Sequence, residues 1–330
     1  MKSSNIGGQA VLEGIMMKNG DRYAVAVRKP NKEIELDIQE YKSVMPSKTI
    51  RKIPFVRGIF SFVDSLVLGM KTLTFSAEFF EDEEGEVKEL TEQEAAKLKK
   101  KEQLIMNVTM VFAVILAVAI FMVLPYFLSS LLKKAITSRM LLTVLEGVVR
   151  LLIFFAYIMM ISRMEDIQRT FMYHGAEHKC INCIEHGLEL NVDNVRKSSR
   201  QHKRCGTSFL FFVVVVSIFI CFFITAESQI MRVAIRILLL PVIAGISFEI
   251  IRLAGRSENV LINLLSKPGL MVQNMTTKEP DDGMIEVAIR AVEAVFDWKA
   301  YLNDNFRTSY NDVSEGACAE NNYEISKDWE

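Results

Sequence analysis

Histidine and cysteine side chains are concentrated in one part of this 330-residue chain. All four histidines fall within 29 residues, and three of the five cysteines lie in or just beside the same stretch: His174, His178, His186, His202, Cys180, Cys183 and Cys205. Imidazole and thiolate groups are ligands that zinc favours in proteins. The segment therefore predicts a divalent metal cofactor. Zinc is preferred, while iron or manganese would suit a set of histidine and carboxylate ligands.

Two of these histidines flank a glutamate in the order His174-Gly-Ala-Glu177-His178, which is the H-x-x-E-H order of inverted zincins. Residues four apart share one face of a helix, so both imidazoles can reach one ion while Glu177 stands beside it. A metal there would acidify a bound water, and Glu177 could accept the proton as general base. This arrangement predicts hydrolysis at a carbonyl or phosphoryl centre.

A different set of ligands is open to the same segment. Cys180-x-x-Cys183 and His202-x-x-Cys205 are separated by 18 residues, close to the spacing of a structural zinc ribbon. Four such ligands would close the coordination sphere, and the metal would then only fold the loop. A third interpretation is a cytoplasmic loop without metal. On the residues alone, all three interpretations stand.

The composition places this segment in a membrane protein. Half of the residues are hydrophobic, and the mean hydropathy is +0.21. Four apolar segments, at residues 105–132, 140–162, 207–225 and 230–254, are each long enough to cross about 30 Å of hydrocarbon. The connections at 133–139 and 226–229 are short, which predicts two antiparallel hairpins. With 39 basic and 40 acidic residues, the chain has no basic field that would indicate a nucleic-acid partner.

We therefore expect a mainly α, polytopic helical membrane protein. It would have four transmembrane helices in two hairpins, an interfacial or re-entrant helix and a small N-terminal β-hairpin. The predicted divisions are 1–53, the N-terminal cytoplasmic β region; 54–104, the interfacial helix and a charged linker; 105–162, the first transmembrane hairpin; 163–206, the cytoplasmic His/Cys metal-binding segment; 207–254, the second transmembrane hairpin; and 255–330, the C-terminal cytoplasmic helix and tail.

The distribution of lysine and arginine predicts the orientation. Sixteen of them lie just before the first apolar segment, between the two hairpins or just after the last segment. Only Lys133, Lys134 and Arg139 lie on the opposite side, with Arg232 and Arg236 at its border. The expected location is the cell membrane, with several crossings and both termini in the cytoplasm. The cysteines between the hairpins should then be reduced thiols.

A fifth apolar stretch, residues 54–80, has apolar side chains almost all round a helix and is interrupted by Arg57, Asp64 and Lys71. We expect an interfacial or re-entrant helix there, the alternative being a true crossing that would place the N-terminus outside. Residues 23–28 and 34–38 predict the β-hairpin, with a turn before it at Gly7 and Gly8. Residues from Asp281 onward predict an amphipathic helix that packs on the body of the protein.

Acidic residues inside apolar segments are functional candidates by default, because burying a carboxylate in a membrane is costly. Glu249 lies near the cytoplasmic end of the fourth segment, where it could be a ligand or a second proton carrier. An ion pair with Arg252 or Arg256 is the alternative. Glu146 and Arg150 lie four apart in the second segment and are expected to neutralise each other.

Several separate motifs resemble those of the YqhQ-like bacterial membrane proteins. They are GGQAVLEGIMMKNG at the N-terminus, PFVRGIFSFVDSLVLGMKTL, YHGAEHK at 173–179, RCGTSFL at 204–210, LPVIAGISFEIIR at 240–252 and TTKEPDDGMIEVAI at 276–289. That family is a domain of unknown function described as predicted metal-dependent enzymes. The resemblance covers most of the chain.

The resemblance implies that motif positions are occupied by His174, Glu177, His178, His202 and Cys205, together with Glu13, Arg57 and Glu249. Cys180 departs from the family pattern, in which that position is commonly Thr, and this disfavours the zinc ribbon. We therefore favour one open site in which His174 and His178 bind the metal together with His202 or Cys205. Glu177 is then the base.

These observations predict a membrane-embedded, metal-dependent hydrolase acting at the cytoplasmic face. Its partners would be membrane lipids and a peptide or lipid-linked substrate, and a homo-oligomer is compatible with the sequence. The alternative is a non-enzymatic assembly factor or regulator with a structural zinc site. A transporter ranks third, because four helices are few for that task and the charged residues in the apolar segments do not form a line.

Overall fold

The protein is described by a computed structural model over residues 2–44, 53–80, 92–132, 135–224, 228–257 and 259–306. Most of the predicted charged linker before residue 92 and most of the C-terminal tail lie outside the described residues. The strands are β1 Gly7–Val11, β2 Gly14–Asn19, β3 Arg22–Arg28 and β4 Ile34–Glu40. The helices are α1 Val56–Ala77, α2 Glu92–Val118, a π-helical turn Ala119–Val123, α3 Leu124–Leu131, α4 Arg139–Ile161, α5 Glu165–Glu185, α6 Val192–Lys197, α7 Gly206–Phe222, α8 Gln229–Leu238, α9 Leu240–Arg256, α10 Val260–Thr276, α11 Asp282–Val295 and α12 Trp298–Phe306.

The strands form one antiparallel sheet in the order β1-β2-β3-β4. The predicted hairpin is confirmed as β3 and β4, and it is half of a larger sheet. The expected turn at Gly7 and Gly8 is wrong, because both lie in β1, opposite Lys18 and Met17 of β2. The first four residues of β2 are all buried, so this central strand lacks the alternation of a half-exposed strand that would have revealed it.

Helices cover both faces of the sheet. One face packs on α5 and α11, and the other packs on α1. The predicted C-terminal helix is confirmed as α11, whose N-cap Asp281 accepts a hydrogen bond from the Met284 backbone N–H at 2.8 Å. Its apolar stripe is buried in the larger core: Met284, Val287, Ala288, Ala291, Val292 and Val295. α5, which carries two of the histidines, is therefore packed into a core formed with the sheet and α11.

Three described helices are long and apolar enough to cross a membrane: Val56–Ala77, Leu104–Leu131 and Met140–Ile161. The number is four if Met231–Leu238 and Leu240–Arg256 form one span, which bends by 42°. The expected single helix over residues 230–254 is thus broken at Leu239, and Pro241 follows in the first turn of α9, where its missing N–H is tolerated. α7 is apolar but only 17 residues long. These helices are compatible with a membrane protein.

The second apolar helix does not run straight into the His/Cys segment. α4 ends at Ile161, and Met164 has an extended backbone before α5 begins. Glu165 and Asp166 then occupy the first turn of α5, where carboxylates complement the helix dipole. Because of this break, α5 packs against the sheet as a separate helix. α10, with Pro268 inside it, was not predicted.

α1 lies between the sheet and α9. In its second half, Leu68 joins the core beneath β2 and β3. At its beginning, Gly58 packs against Phe248 of α9, where an added Cβ would lie 2.8 Å from the phenylalanine Cβ. The chain just before α1 also returns to the helix, since the hydroxyl of Tyr41 donates a hydrogen bond to the Asp64 carboxylate at 2.9 Å. Tyr41 before α1 and Phe79 and Phe80 after it all pack against the core that Leu68 joins.

Candidate metal centre

Two histidines on one face of α5, His174 and His178, are each held through the ring nitrogen Nδ1. His174 Nδ1 lies 3.0 Å from the backbone carbonyl oxygen of Thr276, and His178 Nδ1 lies 2.6 Å from that of Arg200. A carbonyl only accepts, so each Nδ1 carries a proton, and in the neutral ring the lone pair lies on Nε2. The ring centroids are 4.4 Å apart. Outer hydrogen bonds of this kind orient metal-binding imidazoles in other proteins.

Cys205 completes this group from the beginning of α7. It is the N-cap residue, and its Sγ accepts a hydrogen bond from the Thr207 N–H at 3.3 Å. The same sulfur lies 3.3 Å from His174 Nε2. One ligand atom from each of His174, His178 and Cys205 lies within 4.8 Å of the other two, and this is the one such group among the described residues.

The loop that carries Cys205 is held by α5 and α10. Lys179 Nζ donates to the carbonyl oxygens of Arg196 and Ser198, both at 2.9 Å. Further along, the buried side chain of Gln273 accepts from the His202 N–H at 2.9 Å and donates to the His202 carbonyl at 2.8 Å. These hydrogen bonds hold the backbone of the loop, so the loop that leads to Cys205 is fixed in place beside His174 and His178.

The charges of this group are coupled. Burial by itself would raise the pKa of the Cys205 thiol, but the neighbouring imidazoles of His174 and His178 hold it well below its usual range. Burial by itself would lower the pKa of His174, and the sulfur of Cys205 instead raises it to about 9. The site therefore favours a thiolate, the form of cysteine that binds metals and acts as a nucleophile.

Glu177 lies beside the three ligand atoms, as the H-x-x-E-H order predicts. Its carboxylate is buried against β1, where a Cβ added to Gly8 would lie 3.0 Å from its carboxyl carbon, and it accepts a hydrogen bond from the Gly8 N–H. Burial raises the pKa of Glu177, while His178 and His174 act in the opposite direction. A carboxyl group with a raised pKa is suited to accepting and returning a proton.

His202, a predicted ligand, lies just outside this group. Its ring is 5.8 Å from that of His178, and its Nε2 is 3.4 Å from a carboxylate oxygen of Glu185. Glu185 is fully buried and also accepts from the Ser4 N–H at 2.7 Å and from Arg204. The sequence reasoning missed both Glu185 and Arg204. Glu185 lies seven residues after His178 on α5, and this spacing on the same helix face was a signal that could have revealed it.

The cysteines of the alternative ribbon are directed elsewhere. Cys180 is fully buried in the core formed by α5, α11 and the sheet, and burial raises the pKa of its thiol well above the usual range. The Cys183 sulfur donates to the Glu189 carbonyl at 3.3 Å. His186 ends α5, and its Nδ1 lies 2.7 Å from the Asn182 carbonyl. Neither cysteine belongs to the group of potential metal ligands.

Glu249, proposed as a ligand or proton carrier, pairs with two arginines. Its carboxylate accepts from Arg57 at 2.7 and 2.5 Å, a bidentate arrangement, and lies 3.8 Å from Arg252. The expected pair with Arg252 is present, and Arg57 is the stronger partner. Glu13, in the turn between β1 and β2, likewise pairs with Arg169 of α5. These pairs join distant elements and do not line the His/Cys pocket.

A cavity of about 90 Å³ lies against the three ligand atoms. Its lining includes the three residues of the group, Glu177 and Arg204, together with Gly7 and Gly8 from β1. By the guideline that one water needs roughly 10–15 Å³ of such space, it has room for several waters or a small polar group. The cavity is therefore small and polar.

Comparisons with known proteins agree on the family. The model of a family described as a protein of unknown function, DUF1385, matches residues 53–298, which include the whole His/Cys group. The chain belongs to this family. Across 306 residues, this DUF1385 member is 34% identical to the uncharacterized protein YqhQ of Bacillus subtilis (strain 168), covering 92% of the present chain and 96% of the relative. The predicted YqhQ-like family is thereby confirmed. No solved structure matches the chain.

Proposed function

We propose that the protein is a metal-dependent hydrolase embedded in the cell membrane and acting at its cytoplasmic face. The observation that carries this proposal is the common orientation of His174 and His178. Both Nδ1 atoms bond to backbone carbonyls, which directs both Nε2 atoms toward the Cys205 sulfur. Two imidazoles and a thiolate suit zinc, and three protein ligands leave a coordination position open. Glu177 is the proposed general base.

The chemistry divides among the residues of the cavity. When bound, the metal would lower the pKa of a water molecule and polarise the group under attack. Glu177 accepts a proton from the water and returns it to the leaving group. Burial raises the pKa of its carboxyl group, which suits it to this exchange of a proton. Arg204, held by the buried carboxylate of Glu185, adds positive charge to the wall. The polar lining, together with the proposed cytoplasmic position, is consistent with a peptide or lipid-linked substrate.

Metal content per chain, measured by elemental analysis of detergent-purified protein, tests the ligand set. We expect about one zinc in the wild type and in Cys180→Thr, and loss of zinc in His174→Ala and Cys205→Ala. Glu177→Gln should retain the metal but lose hydrolysis in a panel of fluorogenic peptides and lipid-linked phosphoesters. Release of metal by Cys180→Thr with retention by His174→Ala would instead identify a structural zinc site, and hence an assembly factor or regulator.

The Cys205–His174 pair supports a second candidate, a thiol hydrolase. Cys205 lies at the N-terminus of α7, and the imidazole 3.3 Å away is oriented by the Thr276 carbonyl. These features activate nucleophilic cysteines. The thiolate would attack the acyl carbon, and the imidazolium of His174 would protonate the leaving group. Full activity in the presence of a chelator, abolished by Cys205→Ala, would favour this candidate over the metal-dependent one.

The membrane arrangement forms part of the proposal. Four crossings, by residues 104–131, by α4, by α7 and by the broken pair α8 and α9, would leave both termini in the cytoplasm. Contacts of α1 support an in-plane or re-entrant position, because Tyr41 before it and Phe79 and Phe80 after it all belong to the sheet layer. α10 is similar, since Asn263 near its start contacts Lys203 and Thr276 at its end contacts His174.

Reporter fusions test this topology. Green fluorescent protein fused after residue 80 or after residue 306 should fluoresce, and alkaline phosphatase fused at the same points should be inactive. Phosphatase fused after residue 134 or after residue 226 should be active. Labelling of a cysteine introduced near the N-terminus by a membrane-impermeant thiol reagent in intact cells would show that α1 crosses the membrane, because a crossing would place the N-terminus outside.

A further inference from the structure

A second polar cluster lies among the apolar helices, at the end of α4 away from the His/Cys group. Glu146 and Arg150 on α4 are 6% and 2% exposed, and Arg236 of α8 is 5% exposed. The expected pairing of Glu146 with Arg150 is present at 2.8 Å. The sequence did not reveal that Arg236 reaches the same carboxylate, at 2.7 and 2.9 Å. Two guanidinium groups therefore share one carboxylate.

Among the described residues, the other contacts of these arginines are with neutral groups. Arg150 donates to the Ser217 hydroxyl at 3.0 Å, and the Arg236 guanidinium lies 5.0 Å from the centre of the Tyr126 ring. Within the described part of the chain, the Nε atoms of both arginines are buried without a hydrogen-bond partner. An uncompensated positive charge among apolar helices is expensive, so a further anion would stabilise this arrangement.

A cavity adjoins the cluster on the side where such an anion would lie. It measures about 40 Å³, and its wall includes Glu146 and Arg236, with Arg232 one helical turn before Arg236. By the guideline of roughly 10–15 Å³ per water, this is room for about three waters, comparable to a phosphate group. Guanidinium groups bind phosphate through paired, charge-assisted hydrogen bonds.

The position along the helices favours an anion that arrives from the membrane edge. Glu146 lies seven residues after the first residue of α4, which is roughly 10 Å along the axis at 1.5 Å per residue. Side chains on a helix lean toward its N-terminus, and both α4 and α8 begin at this edge. The long arginine side chains can therefore extend toward the level of the lipid headgroups.

We propose that the cavity beside Arg236 and Glu146 is a phosphate-binding site, at the membrane face opposite the His/Cys group. The ligand is a phosphate group, carried by an anionic lipid or free in solution. This site is independent of the proposed hydrolase, because it shares no residue with the metal centre.

The test measures thermal unfolding of detergent-purified protein during titration with three additives. These are phosphatidylglycerol, diacylglycerol as the phosphate-free lipid control, and inorganic phosphate compared with sodium chloride at equal ionic strength. Arg236→Gln is compared with Arg163→Gln, which removes the same charge from an exposed position at the other end of α4. We expect saturable stabilisation of the wild type and Arg163→Gln, and none of Arg236→Gln. Stabilisation by phosphatidylglycerol but not by inorganic phosphate would identify a lipid as the ligand. Stabilisation by inorganic phosphate would identify a free anion.

Glu146→Gln provides a second test that holds even if Arg236→Gln does not fold. Removing the competing carboxylate should strengthen phosphate binding, with the half-saturating concentration falling about tenfold, as expected for one charge-assisted hydrogen bond. Absence of any response in both the wild type and Glu146→Gln would overturn the proposal. Equal responses of Arg236→Gln and Arg163→Gln would also overturn it, because the stabilisation would then not depend on this cluster.

Discussion

The close approach of residue 278 to α5 allows a sharp test of how the metal centre is built. A Cβ added at Gly175 would lie 2.0 Å from the Lys278 carbonyl oxygen, which is a backbone atom. The backbone at Lys278 would have to move by about 1.4 Å to restore ordinary contact at 3.4 Å. A shift of that size breaks the hydrogen bond from Lys278 N–H to the Phe171 carbonyl, and that of His174 Nδ1 to Thr276.

The expected cost of Gly175→Ala follows from these contacts. Overpacking costs roughly 1–3 kcal/mol and each lost hydrogen bond about 1 kcal/mol, so we expect the free energy of unfolding to fall by about 3 kcal/mol. Loss of an outer hydrogen bond on a metal-binding histidine should also weaken zinc affinity by about 10–100-fold. Chemical denaturation followed by tryptophan fluorescence measures the first quantity, and competition with a zinc chelator measures the second.

Gly206→Ala is the matched control, because Gly206 lines the same cavity and an added Cβ there meets nothing within 4 Å. Alanine in the first turn of α7 should leave stability unchanged or raise it by up to about 1 kcal/mol. If Gly175→Ala matches Gly206→Ala in both stability and zinc affinity, the packing of residues 277–278 on α5 does not position His174. The reasoning would then be refuted.

Three further outcomes are expected. Glu177→Gln should lower hydrolysis by about 100-fold or more while leaving zinc content unchanged, and equal losses of both would contradict a role as base. Glu249→Gln should lower the unfolding midpoint by weakening the pair with Arg57, yet zinc content should stay at the wild-type value, whereas a ligand role requires its loss. In metal-free protein, the raised pKa of His174 stabilises the fold fully below pH 6.5, and this contribution is lost as the pH rises through about 9. The lowered pKa of Cys205 contributes with the opposite sign over the same range, so unfolding midpoints should stay nearly level from pH 6.5 to 9. A midpoint that falls steadily across this range in the wild type would contradict the thiolate–imidazolium pair.

Much of the fold could be predicted from local patterns in the sequence. The apolar segments at 105–132 and 140–162 correspond closely to described helices, because a run of apolar residues of that length has few other solutions. α11 could likewise be predicted, since its capping residue Asp281 and the helical spacing of its apolar residues indicate the same helix. β1 and β2 were not predicted, because β1 begins with two glycines and the first four residues of β2 are all buried, which removes the alternation. The bend between α8 and α9 was not predicted, because the hydropathy is continuous across it.

The metal centre shows the same division between local and distant information. The sequence alone determined that His174, Glu177 and His178 share one face of a helix, because the helical period is a local property. Only the tertiary structure decided that Cys205 joins them, while Cys180 enters the core and His202 faces Glu185. That choice depends on how the loop to residue 205 folds back along α5, through hydrogen bonds to backbone carbonyls. Every residue has such a carbonyl, so these bonds leave no pattern in the sequence.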